Sequence, residues 1–134
     1  MNANNPFLYE VGAIELTQQY SPFLTGIWKS LVAIQVVSDK RKKNGIENID
    51  SRYVDLIDRL TPCRYKLNDD KSGQYHTGFI AQDVKAALEA AGLAPDELAA
   101  LDCSGEMWGL RYEELIAPMI AKIKALENRI KALE

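Results

Sequence analysis

The chain is poor in the residues that build metal cages and disulfide frameworks. It holds two cysteines, Cys63 and Cys103, and one histidine, His76, in 134 residues. Three such side chains cannot fill a tetrahedral four-ligand cage, so no metal is expected and both thiols are read as reduced. No other cofactor is expected either. Long apolar runs are missing too. The best, residues 31–37, is interrupted by Gln35 and falls far below the roughly 20 residues that span a bilayer. The opening MNANNPFLYE has neither a basic start nor an apolar signal core, so no export leader is expected. Positive charge is not in excess. Sixteen Lys and Arg stand against 19 Asp and Glu, giving a formal charge of −3 and a pI near 5.2. That balance argues against a protein built to hold nucleic acid or an anionic membrane, and neither is expected as a partner. No glycine-rich phosphate loop and no histidine-based triad frame is present.

What remains is ordinary globular composition, 47% apolar and 26% charged, in a chain long enough for one domain. Residues 1–37 carry several aromatics and little charge. Val32, Ile34 and Val36 alternate as a strand would, while Ile27, Leu31 and Ile34 fit a helix equally well. Residues 38–45, rich in Lys and Arg, read as a solvated loop and a boundary.

A compact unit follows. Asp50 or Ser51 can cap a short helix whose Tyr53, Ile57 and Leu60 share a face, and Thr61-Pro62 ends it. Residues 63–67 and 75–81 read as two strands joined by the turn chemistry of residues 68–73, hence a hairpin. Gly78 lies in strand-like sequence without turn chemistry, which predicts a close approach of something to its backbone. Val84, Ala87, Leu88 and Ala91 stand at helical spacing before Gly92, a good C-terminal stop. Pro95 is expected to open another short helical turn, residues 106–110 to form a third strand, and residues 112–134 to be helical almost throughout. The class is α+β, a small antiparallel sheet with short helices and a long C-terminal helix.

That last helix has a two-position apolar seam. Ile116, Met119, Ile123, Leu126, Ile130 and Leu133 step by three and four residues in alternation. With Ile116 at position a, a parallel coiled coil would pair Lys122 with Glu127 and Arg129 with Glu134 between chains, and both pairs attract. The alternative is one amphipathic helix lying on its own domain. Ile at a with Leu at d leans toward two strands, so the seam itself argues oligomer and not trimer. Pro118 falls at an outward position and is expected to kink or restart the helix near its beginning.

One pairing points to chemistry. Ser38 could act as a nucleophile if a neutral Lys43 took its proton, the serine–lysine version of triad logic. An ordinary lysine, with a pKa of about 10.4, is almost wholly protonated at neutral pH; burial or neighbouring cations favour the neutral form. By spacing alone the pair is weak, and a solvated basic loop or an import-type basic patch fits the same residues.

Four blocks change that balance. Ser38-Asp39-Lys40-Arg41-Lys42-Lys43-Asn44, followed by Ile46, resembles the opening of the intramolecular chaperone domain of phage tailspikes and tail fibres, the self-cleaving S74 peptidase family of endosialidase type. Leu60-Thr61-Pro62-Cys63-Arg64-Tyr65-Lys66 is similar to that family's "L-x-P-x-x-Y" segment. Gly78-Phe79-Ile80-Ala81-Gln82-Asp83-Val84 is similar to its "GFIAQ-acid-V" segment, and Gly109-Leu110-Arg111-Tyr112-Glu113-Glu114-Leu115-Ile116 to its last strand-to-helix entry. The blocks stand in the family's order over roughly residues 38–126. Lys42 departs from the pattern, which usually has an apolar residue there.

The resemblance implies a C-terminal chaperone that trimerises, registers the chains of a tail fibre or tailspike for folding, and then releases itself by autoproteolysis. Residues 1–37 would be the end of the passenger and its lead-in. Residues 38–134 would be the chaperone, its coiled-coil helix starting near residue 112 and forming a parallel homotrimer. The scissile bond would be Val37–Ser38, with Ser38 and Lys43 catalytic and Asp39 and Arg41 orienting the loop. The partners implied are two further copies and the passenger of the same chain. The implied location is a virion tail precursor assembled in the host bacterial cytoplasm, with the cut domain absent from the finished virion. The alternative is the same trimerising tip without cleavage. His76 is read as a hydrogen-bonding residue beside a strand, without an assigned role.

Overall fold

The computed structural model describes residues 35–134, and a boundary between Asn44 and Gly45 divides the chain into two units, each treated by itself. The choice between strand and helix around residues 27–34 lies outside the described residues. Gln35 to Asp39 take no regular structure, and a 3₁₀ turn follows at Lys40–Lys42.

The second unit begins its regular structure with α1, Ser51–Arg59. The Asp50 carboxylate accepts from the backbone N–H of Arg52 at 2.9 Å, satisfying one of the donors a helix start leaves open. Leu60 turns extended, as expected two residues before Pro62, and ends the helix. The apolar face is centred on Leu56, which is fully buried and was absent from the expected set of Tyr53, Ile57 and Leu60.

The hairpin is present and shorter than expected. β1, Cys63–Tyr65, pairs antiparallel with β2, His76–Gly78, with Cys63 opposite Gly78 and Tyr65 opposite His76. The connecting residues 68–73 turn through an Asp70 carboxylate that accepts from the Ser72 N–H at 2.9 Å, and Gly73 sits at φ +69°.

α2, Ala81–Ala91, buries Val84, Ala87, Leu88 and Ala91, the four positions read from helical spacing. Gly92 adopts φ +79°, the left-handed stop that glycine reaches without a Cβ penalty. There the Leu93 N–H donates to the Leu88 carbonyl at 3.0 Å, and Leu93 itself is buried.

Two expectations are corrected after α2. The residues from Pro95 form turns, with the Glu97 N–H donating to the Ala94 carbonyl, and no helix. The anticipated third strand is only β4, Gly109–Leu110. It pairs with β3, Leu101–Asp102, in a second two-stranded ladder separate from the hairpin, so the described residues hold two small antiparallel ladders and not one sheet. β3 was not anticipated. Its two residues are too few to show a period.

The long helix also starts later than expected. Tyr112–Leu115 is a 3₁₀ turn, and α3 runs Ile116–Leu133. Pro118 is not outward but buried in the first turn, where its missing N–H breaks no interior hydrogen bond. The core lies where α1 packs on α2 and α3: Leu56, Val84, Leu88, Leu93 and Leu115, filled in by Ala87, Ala91 and Ala100. Among the described residues, three of the eight in this core cluster are alanines, which makes the core of the second unit thin.

Candidate functional site

The basic loop is built by its own side chains. Asp39 caps the 3₁₀ turn: its Oδ1 accepts from the Arg41 backbone N–H at 2.8 Å, and Arg41 folds back so that Nε and Nη2 donate to Oδ1 and Oδ2 at 3.0 and 2.8 Å. The guanidinium first, and then the backbone N–H, hold the Asp39 carboxyl below the usual carboxylate range. The turn is closed by Lys42 N–H to the Asp39 carbonyl at 3.0 Å and Lys43 N–H to the Lys40 carbonyl at 3.1 Å. Its consequence is a contact between residues five apart. The Lys43 Nζ lies 2.6 Å from the Ser38 Oγ, within reach for proton transfer.

All residues of this loop are exposed, Val37 and Ser38 included. The cations Lys40, Arg41 and Lys42 crowd the same turn, and only Arg41 has a carboxylate partner among the described residues.

The seam residues of α3 form a second exposed feature. Leu115 of the 3₁₀ turn and Pro118 of α3 are buried against the domain, and Ala121, Lys122 and Ala125 of α3 are half-buried. Lys122 donates to Asp58 of α1 at 2.7 Å, so this expected interchain partner of Glu127 is engaged within its own chain. The apolar seam is on another side. Ile116, Met119, Ile123, Leu126, Ile130 and Leu133 are each between 40% and 87% exposed. The reading of α3 as a helix that hides its apolar seam on its own domain therefore fails.

Gly78 has the close neighbour its sequence context predicts. A Cβ there would stand 2.5 Å from the Tyr112 Oη, and this hydroxyl accepts from the Phe79 N–H at 3.3 Å. Around that contact lies a cavity of about 300 Å³, lined by Tyr65, Phe79, Trp108 and Tyr112 among others. His76 stacks on Tyr65 at 5.8 Å, and its Nε2 is 3.6 Å from Asp70, beyond hydrogen-bonding distance. Among the described residues no cluster of His, Cys, Asp and Glu could hold a metal.

Sequence reasoning missed one polar hub. The Arg52 guanidinium donates to Asp50, to both carboxylate oxygens of Glu97 and to the Gly92 carbonyl at 2.8 Å, tying the start of α1 to the end of α2. Only the Asp50–Arg52 spacing was visible in one dimension.

The two helices packed on α1 and the paired ladders define an α+β module in the second unit, and the first unit carries the Ser38–Lys43 contact. Residues 38–93 match the family model described as chaperone of endosialidase, peptidase S74. Depolymerase 1, capsule K3-specific, of Klebsiella phage KP32 is 32% identical over 94 residues, covering 66% of this chain and 11% of that protein. The tail spike protein of an Escherichia phage is 29% identical over 100 residues, covering 72% of this chain and 12% of that protein. The chain thus spans little more than a tenth of the length of these curated relatives. A crystal structure described as a novel intramolecular chaperone shares the fold, with a TM-score of 0.57 at 20% identity, over 69% of this chain and 99% of that one.

Proposed function

We propose that this chain is the C-terminal intramolecular chaperone of a phage tail fibre or tailspike, and that it trimerises, aids folding of its passenger and then cuts itself free between Val37 and Ser38. The observation that carries the cleavage is the 2.6 Å approach of Lys43 Nζ to Ser38 Oγ at the first residues of the family match. Lys43, when neutral, takes the Ser38 hydroxyl proton as Oγ attacks the Val37 carbonyl carbon. The Oγ–C bond forms, the C–N bond breaks, and Lys43 returns the proton to the departing Ser38 nitrogen. Water then hydrolyses the ester, leaving a Val37 carboxylate and a free Ser38 hydroxyl. The loop's exposure fits a site whose water-excluding walls come from assembly, where desolvation also favours the neutral amine.

Association between chains is supported by the exposed seam on α3 and by the thin core of the second unit, and the number three is what the family resemblance implies. Three registered helices raise the effective concentration of passenger ends that otherwise must find non-local pairings between chains. Residues 1–37 are then the passenger end, and the virion tail precursor is where the module acts.

The test is intact mass and N-terminal sequencing of freshly expressed chain. A fragment beginning at Ser38 is expected from wild type and from Lys42→Ala, and none from Ser38→Ala, Lys43→Ala or Lys43→Arg, since guanidinium does not give up its proton. Equal cleavage in Ser38→Ala refutes the dyad. An intact wild-type trimer leaves the non-cleaving tip as the function.

A further inference from the structure

The Lys40–Lys42 turn buries none of its residues, so no packing holds it. A lone helical turn is poorly populated in water, because several dihedrals are fixed for very few hydrogen bonds. Yet the dyad depends on it. Five residues in extended form carry the chain about 16 Å, whereas 3₁₀ residues rise only about 2 Å each and turn the chain back. Whatever populates the turn sets how often Lys43 reaches Ser38.

Among the described residues, the side chain placed to do so is Asp39. Both of its carboxylate oxygens are taken up by Arg41, and it makes no hydrogen bond to Lys43 or Ser38. It is therefore not the acidic third member of a triad, which would have to touch the base. We infer that Asp39 is a positioning residue of the cleavage dyad, acting through the N-cap hydrogen bond from its side chain to the Arg41 N–H and not through its charge. This rests on the cleavage reading above. Arg41 contributes its main-chain N–H to the cap, and its guanidinium only steadies the carboxylate from outside.

Cap and charge separate cleanly by substitution. Asn and Ser cap nearly as well as Asp without a charge, whereas Glu keeps the charge on a side chain of unsuitable length. In the full chain, Asp39→Asn and Asp39→Ser should release the Ser38 fragment within about twofold of the wild-type rate. Asp39→Ala and Asp39→Glu should be slower by about fivefold, the factor expected for loss of one cap. As a readout independent of cleavage, hydrogen exchange at the Arg41 and Lys43 amides is followed by NMR in the Ser38→Ala background. Protection there should survive Asn and Ser and fall with Ala and Glu. Wild-type rates in Asp39→Ala while Ser38→Ala stays uncut overturn the inference and leave the dyad standing, as does rescue by Glu but not Asn. Unchanged exchange in Asp39→Ala overturns it whether or not the chain cuts. Absence of the fragment from wild type itself sinks the cleavage reading and this role with it.

Discussion

Adding one methyl group at Gly78 tests how the hairpin is held to the start of the long helix. In Gly78→Ala the new Cβ would lie 2.5 Å from the Tyr112 Oη and 3.3 Å from Cζ, so the ring must leave its place. Tyr112 is 44% exposed and can swing outward. Doing so breaks the hydrogen bond from the Phe79 N–H, about 1 kcal/mol, and the tilted pairing with the Phe79 ring at 6.0 Å, about another 1 kcal/mol. Reduced freedom of the unfolded chain returns about 0.5 kcal/mol. The net loss is then about 1.5 kcal/mol, a fall of the urea midpoint by roughly 1 M at equal protein concentration. Removing the hydroxyl should undo most of it. Gly78→Ala with Tyr112→Phe should be less destabilised than the two single changes added together, because the clash is with Oη and Cζ is already near ordinary contact. An unchanged midpoint in Gly78→Ala, or strict additivity in the cycle, refutes the reasoning.

Leu56→Ala empties the centre of the α1 face against both other helices and should lower stability by about 3 kcal/mol in urea unfolding; a loss below about 1 kcal/mol would mean the site collapses freely. Ile123→Asp places a carboxylate in the seam, and light scattering should fall from three chain masses toward one, while a trimer of undiminished stability would remove α3 from the interface. On acidification the sign follows from the carboxylates. Arg52 holds Glu97 and Asp50 below their ordinary range, so their contribution is present above about pH 4.5 and lost as pH falls through the folded values. The urea midpoint should be flat from pH 7 to about pH 5.5 and then decline, less steeply in Arg52→Met; an identical decline in both would show that this hub is not the cause.

Local chemistry was enough for what lies within a few residues of its cause. The cap at Asp50, the four buried positions of α2 and the stop at Gly92 follow from dihedral preference and 3.6-residue spacing, and the structure has them where the sequence puts them. The turn between Ser38 and Lys43 is also closed locally, by residues 39–43 themselves, but spacing alone left the pair weak and only the family resemblance singled it out. Elements set by partners far along the chain were not legible. Leu101–Asp102 is a strand only because Gly109–Leu110 lies beside it, and the Arg52 hub joins residues 45 apart that no pattern links. Pro118 was read as outward from its heptad position, yet packing against the domain buries it, and Lys122 takes Asp58 as its partner by the same packing. A heptad shows only that one stripe of the helix is apolar. Which stripe meets the domain and which is left for other chains was decided by the tertiary structure, because burial depends on where α1 lies and not on the spacing within α3.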